Sequence, residues 1–311
     1  MSLKFIIVLL AGIGIGVGLY RYFIDKPKEA LKFSILFAYL LMVMGTLVTS
    51  TDSGLGCPDW PLCYGTVAPP LDLQTWIEWT HRILGYITSV LIFTSAMAIK
   101  NTRTGVEKTL IFTTLGLLAC GVLLGGLIVH VEAPLLETFT HTLIISTHLI
   151  FATLIISCLI FTYRILATNG TEPDTKYFGL LFPLVYLQII IGILVRYSKG
   201  TLACPDFPLC NGSLIPDFAH FTITLHFTHR VIAAIILITI VTLLIKTIRD
   251  GYNAKGLITI LILVLTQASI GVTIVVTGAF FPALILHGAV GFLILAFMAY
   301  KAMPFYFKER S

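Results

Sequence analysis

The sequence predicts an all-α integral membrane protein: two repeated four-helix transmembrane bundles with one extra N-terminal transmembrane helix. Three observations predict it. Of 311 residues, 57% are hydrophobic and only 11% charged, and the mean hydropathy is +0.98, far beyond what a water-soluble domain carries. The apolar stretches reach the ~20 residues a helix needs to cross a hydrocarbon layer about 30 Å thick, too long for the strands of a membrane barrel. Finally, a cysteine motif and a His-Arg motif recur in the two halves of the chain at nearly constant offset.

The spans run over residues 3–23, 33–51, 77–99, 109–130, 138–163, 177–196, 221–245, 257–277 and 283–303. The first begins like a signal peptide, with Lys4 before an apolar run. No small-residue cleavage pattern follows, however, and Arg21 closes it, so a retained helix is expected. Its Gly12, Gly14, Gly16 and Gly18 form small-xxx-small pairs that let another helix approach closely, which suggests a homo-oligomer joined through this helix.

Placing the linker 24–32 in the cytoplasm puts 15 of the 20 lysines and arginines, Arg103, Lys308 and Arg310 among them, on the inner side. Lys4, Arg82, Arg196, Lys199 and Arg230 remain at or near the outer side. This predicts a multi-pass protein of the inner (plasma) membrane, with the C-terminus cytoplasmic. The net charge of +5 reports topology; lipid is the immediate partner, and nucleic acid is not expected.

Residues 45–65 read GTLVTSTDSGLGCPDWPLCYG and residues 192–212 read GILVRYSKGTLACPDFPLCNG, an offset of 147. WTHR at 79–82 answers FTHR at 227–230, an offset of 148. Each unit therefore holds a helix, an outer cysteine loop, a helix opening on His-Arg and two further helices. The expected organisation is an extra helix at 1–24, an N-terminal bundle at 31–166 and a C-terminal bundle at 175–303. An even number of spans per repeat makes both halves enter the membrane from the same side.

Cys57 with Cys63 and Cys204 with Cys210 are each separated by five residues in loops facing an oxidising compartment, so disulfides are expected. Zinc fits less well, since its ligand pairs usually sit closer and no further Cys/His set matches. Closing so short a loop contributes only ~2–3 kcal/mol; the larger effect is local, a lid pinned over each bundle. Cys120 and Cys158, within helices, read as buried thiols.

All eight histidines fall in the outer half of the spans or on the outer surface. Ionisable residues within spans usually mark a site, and imidazoles reaching a bundle core from facing helices are how haem iron is held. His81 and His229 occupy equivalent places on the second helix of each half, and His148 and His287 lie on the fourth helices. The expected axial pairs are His81 with His148 and His229 with His287. His141, two turns before His148, competes for that place; His130 and His220 read as loop or interface residues.

Arg82 and Arg230 follow the candidate ligands at the water boundary, where a guanidinium can take a carboxylate such as a haem propionate in bidentate fashion. The halves differ one turn earlier, where Glu78 stands in the first and His226 in the second. The i, i+3 spacing puts Glu78 on the face of His81, where a carboxylate suits proton transfer. Gln188 and Gln267, each four residues before a glycine, read as interhelical contacts or cofactor neighbours.

TDSGLGCPDWPLCYG followed by EWTHR, then ACPDFPLCNG followed by FTHR, on eight spans, resembles the haem A synthases over residues 31–303; only the first span departs from their pattern. The resemblance implies oxidation of haem O at its C8 methyl to a formyl group, by successive hydroxylations and loss of water, giving haem A for terminal oxidases. It implies a haem b cofactor held by His229 and His287 that relays electrons, and a substrate site for haem O or haem A formed by His81, His148 and the catalytic Glu78. A haem O synthase as supplier and a quinol or other electron donor are the implied partners. The alternative is a di-haem, cytochrome b-like electron-transfer protein with two equivalent, tightly held haems. A transporter would need broken central helices and a polar midplane, of which the spans show little.

Overall fold

The computed structural model describes residues 3–66, 69–102, 105–135, 139–167 and 175–307, and the side chains of 12–66, 69–100, 105–130, 139–167 and 176–307. Of the charge pattern, the side chains of Lys4, Arg103, Lys308 and Arg310 lie outside the described residues. Among the described residues there are nine α-helices and no strand: α1 Leu3–Phe23, α2 Pro27–Ser50, α3 Leu73–Thr102, α4 Val106–Leu135, α5 Phe139–Ala167, α6 Thr175–Tyr197, α7 Phe221–Arg249, α8 Lys255–Val276 and α9 Phe281–Tyr306. Eight of them, α2 to α9, are long and apolar enough to cross a membrane. The protein is an all-α, multi-pass integral membrane protein.

Helices α2 and α3 show the largest advance over the apolar stretches that mark them, starting at 27 rather than 33 and at 73 rather than 77. Pro27 opens α2, where its missing N–H costs nothing and its fixed φ suits the first turn. That turn is charged, with Lys32 Nζ 2.8 Å from the Glu29 carboxylate on the exposed surface, so it extends the helix into water. At α3 the Asp72 carboxylate accepts hydrogen bonds from the Thr75 N–H and hydroxyl, both 3.0 Å, satisfying donors the first turn leaves open. The same bonds hold the Asp72 carboxyl below the usual carboxylate range.

The chain divides into two compact units, Met1–Thr168 and Asn169–Ser311. In the first, α2 packs on α3, α3 on α4, α4 on α5 and α5 on α2, closing a ring of four. The second closes the same ring with α6, α7, α8 and α9. Helices α3 and α5, and likewise α7 and α9, therefore stand diagonally across their rings. The buried apolar core of the first unit gathers at the end away from the cysteine loop, with Leu31 early in α2, Ile99 late in α3, Ile111 early in α4 and Leu159 late in α5. The second repeats this with Phe178, Ile240, Leu257 and Met298. The loop-side half of each ring is where the histidines lie.

Helix α1 packs against α3. Tyr86 donates its hydroxyl to the Gly12 carbonyl at 2.7 Å, and a Cβ on Gly16 would meet that hydroxyl at 2.9 Å. Part of the glycine face thus serves a contact within the chain, while Gly14 and Gly18 face open space.

Candidate active site

Each cysteine motif folds into the same clasped turn. Cys57 and Cys63 are bridged with an S–S distance of 1.99 Å, and Cys204 and Cys210 with 1.97 Å; all four cysteines are buried. The aspartate of each CPD folds its carboxylate back onto the turn. Asp59 accepts from the N–H groups of Tyr64 and Gly65, and Asp206 from those of Asn211 and Gly212. Tyr64, Gly65, Asn211 and Gly212 all have positive φ, the conformation that points successive N–H groups at one acceptor. The bond from Gly212 is the main cause holding the Asp206 carboxyl below its usual range.

Of the free cysteines, Cys158 is partly buried but Cys120, expected to be buried, is exposed on α4. In a membrane helix the outward face meets lipid, where a thiol behaves as a small apolar group. A thiol-reactive probe applied to protein denatured without reductant should label Cys120 and Cys158 only, and all six cysteines after reduction. Labelling of any of the other four before reduction, as read by peptide mass, would contradict the bridges.

The arginines that follow the candidate ligands close these turns. Arg82 donates from Nη1 to the Asp59 and Leu62 carbonyls, both 2.6 Å, and from Nη2 to the Cys57 carbonyl, 3.1 Å. Arg230 repeats the pattern with Asp206 and Leu209, both 2.8 Å, and Cys204, 2.7 Å. Within the chain each guanidinium is thus held by three backbone carbonyls of the clasped turn. The carboxylate that Arg82 does meet is Glu78, whose Oε1 lies 2.8 Å from its Nε. Glu78 is 6% exposed. At the equivalent place His226 is also buried and holds the Gly200 carbonyl through Nδ1 at 2.9 Å. Among the described residues, only the first unit has a carboxylate beside its histidine.

His81 on α3 and His148 on α5 come from diagonal helices and are close enough for charge on one to be felt at the other; so are His229 on α7 and His287 on α9. All four rings are seated alike, each with its Cε1–Nδ1 edge against a glycine of the adjoining helix. The seats are Gly45 for His81, Gly125 for His148, Gly192 for His229 and Gly271 for His287. His148 Nδ1 lies 3.0 Å from the Gly121 carbonyl. His141 has no such seat among the described glycines, and His130 and His220 are exposed.

In the second unit, Gln188 donates to the His229 carbonyl at 2.9 Å and Gln267 to the His287 carbonyl at 3.0 Å. The corresponding places in the first unit hold Leu41 and Gly121. Gly45 and Gly192 share one place in the repeat, and Gln188 and Gln267 each precede their glycine by four residues, which is the signal these seats leave in the sequence.

The arrangement suits a haem. Among the described residues no three His, Cys, Asp or Glu side chains converge as a bare metal ion would require. Pairs of imidazoles from opposed helices instead match iron whose equatorial positions a porphyrin fills. The buried Nδ1 atoms of His81, His229 and His287 have no hydrogen-bond partner.

Comparison with known proteins agrees. The family model described as cytochrome oxidase assembly protein, COX15-CtaA, matches residues 29–75 and 72–299. A heme A synthase of Halalkalibacterium halodurans is 29% identical over 281 residues, covering 85% of this chain and 92% of that protein. One of Bacillus mycoides is 32% identical over 284 residues, covering 85% and 89%, and one of Shouchella clausii is 28% identical over 286 residues, covering 85% and 92%. With the family model running through both histidine pairs and both clasped loops, the chain belongs to the COX15-CtaA family of cytochrome oxidase assembly proteins.

Proposed function

We propose that the protein is a haem A synthase, oxidising the C8 methyl of haem O to the formyl group of haem A. The observation that carries this reading is an asymmetry between otherwise equivalent sites: two imidazole pairs are seated alike, and among the described residues a buried carboxylate stands beside only one of them. His81 and His148 would hold the substrate haem, with His148 favoured over His141 by its seat on Gly125. Glu78, three residues before His81 and held by Arg82, would accept the protons that leave the methyl carbon and its oxygen substituents. Arg82 acts as a positioning residue, aiming Glu78 and tying the disulfide lid to α3.

His229 and His287 would hold haem b, which when bound supplies an electron-transfer centre. The glutamines that brace the backbone of these two histidines suit a resident cofactor, and their absence from the first unit suits a substrate that must leave. A haem O synthase would supply the substrate. Because taking the methyl to a formyl withdraws electrons and adds an oxygen atom, an oxidant and an oxygen source, water or dioxygen, would complete the balance, with a quinol or other donor supplying electrons where dioxygen must be reduced. The setting is the inner membrane, with the loops and both haem sites toward its outer side and the C-terminus cytoplasmic. The two repeats act as separate bundles, 31–166 for substrate and 175–303 for cofactor.

Pigments extracted from the purified protein and identified by chromatography and mass test this reading: haem b together with haem O or haem A is expected. Haem b alone, in two equivalents per chain, would favour the di-haem electron carrier instead. Association of copies through the open glycines of α1 is tested separately. Deleting residues 1–24 should leave haem content unchanged, because no candidate ligand lies on α1, while reducing the assembly size in a native separation. An unchanged assembly size would leave α1 as a simple anchor.

A further inference from the structure

Glycine inside a helix is a poor helix former, yet every one of the four candidate ligand histidines meets one on the neighbouring helix. A Cβ built on Gly45 would lie 3.3 Å from His81 Cε1, on Gly125 3.4 Å from His148 Cε1, on Gly192 3.0 Å from His229 Cε1 and on Gly271 3.2 Å from His287 Cε1. Carbon atoms rest about 3.5–4.0 Å apart at their optimum. At Gly45, Gly192 and Gly271 a Cβ would therefore force the ring to give by a few tenths of an ångström, and the atom in the way belongs to a rigid ring rather than to the end of a flexible chain. At Gly125 the contact is at the edge of the ordinary range.

The glycine has a second effect. In a helix the side chain of a residue covers the turn on the N-terminal side of its own Cα. Glycine at that place bares the carbonyl four residues earlier, which can then accept a bond from outside the helix besides its own. His148 uses this opening, its Nδ1 3.0 Å from the Gly121 carbonyl, four residues before Gly125. His81, His229 and His287 also lie with Cε1 and Nδ1 against their glycines, but their Nδ1 atoms make no hydrogen bond. An imidazole whose Nδ1–H is directed at a carbonyl keeps the tautomer with the lone pair on Nε2, the atom that ligates iron.

We propose that Gly45, Gly125, Gly192 and Gly271 are positioning residues for the four imidazoles: each makes room for the ring edge and so sets where the ring stands, and Gly125 also bares the Gly121 carbonyl that fixes the rotation and tautomer of His148. The proposal rests on the haem-ligating reading of the histidines. A methyl at Gly45, Gly192 or Gly271 displaces the ring edge and changes the ligand field of the iron it would hold.

The test compares Gly192→Ala and Gly271→Ala with Gly116→Ala, a glycine on α4 that faces open space. The measurements are the electron paramagnetic resonance spectrum of the low-spin haem and the rate of haem loss to apomyoglobin. Both seat variants should show a displaced highest g value and faster haem loss, with the control unchanged. Because alanine is the better helix former, a merely permissive glycine would give a parent-like spectrum and rate, and that result would overturn the proposal.

Should Gly192→Ala yield no protein, the double variant Gly192→Ala/His229→Ala decides the matter, since removing the ring removes the obstacle. Yield equal to that of His229→Ala alone supports the seat; continued failure shows that the glycine serves helix packing and overturns it. A His229→Ala protein that keeps its haem sinks the haem reading itself. A parent-like Gly192→Ala beside a haem-free His229→Ala sinks only the seat.

Discussion

Replacing His229 or His287 with alanine is expected to remove most of the haem b from the protein. The two rings come from α7 and α9, diagonal members of one closed ring of helices, so neither can stand in for the other. The substitution leaves the rest of the unit intact. Its apolar core around Phe178, Ile240, Leu257 and Met298 lies at the opposite end, and the disulfide loop is held by Arg230 rather than by the histidine. Loss of haem should thus occur in folded protein with both disulfides closed, while His81→Ala and His148→Ala keep haem b. Two alanine variants that both retained a six-coordinate, low-spin spectrum at full occupancy would contradict the assignment.

Glu78→Gln is expected to lower conversion of haem O to haem A by a factor on the order of 10² or more, the usual range for losing a positioned acid or base. Glutamine keeps the shape of the side chain but cannot take up the proton. The stability cost needs separate consideration, because breaking a buried ion pair from one side can cost about 3–5 kcal/mol. Here the glutamine oxygen can still accept from Arg82 Nε, and the remaining guanidinium donors stay bonded to Asp59, Leu62 and Cys57. The cost should fall well short of that figure. Haem b should remain bound, and a hydroxylated intermediate should accumulate. Conversion at the parent rate would return Glu78 to the role of a salt-bridge partner.

The sequence showed most clearly what is local and repeated. The cysteine turns, the His-Arg pairs and the difference between Glu78 and His226 all lie within short segments that can be laid over one another at a fixed offset. What it could not show depends on the helix opposite. His141 and His148 lie on similar faces of α5, and nothing in α5 itself separates them; the distinction comes from Gly125 and the Gly121 carbonyl on α4. Arg82 and Arg230 suggest a propionate partner, but their part in closing the cysteine turns is not legible in the sequence. Their main partners are backbone carbonyls more than a dozen residues upstream, and a carbonyl leaves no mark on residue type. The glycine seats were hidden by abundance: among 25 glycines in a membrane protein, no single one stands out.

The central claim is that this chain makes haem A, and its most direct test is conversion in a cell that produces haem O but has no other means of oxidising it. The protein is expressed there and the extracted haems are identified by chromatography and mass. Haem A should appear with the parent chain, and haem O should persist with Glu78→Gln despite equal protein and haem b. Haem O left unconverted by a parent chain carrying its bound haems and both disulfides would contradict the account and leave an electron carrier in its place.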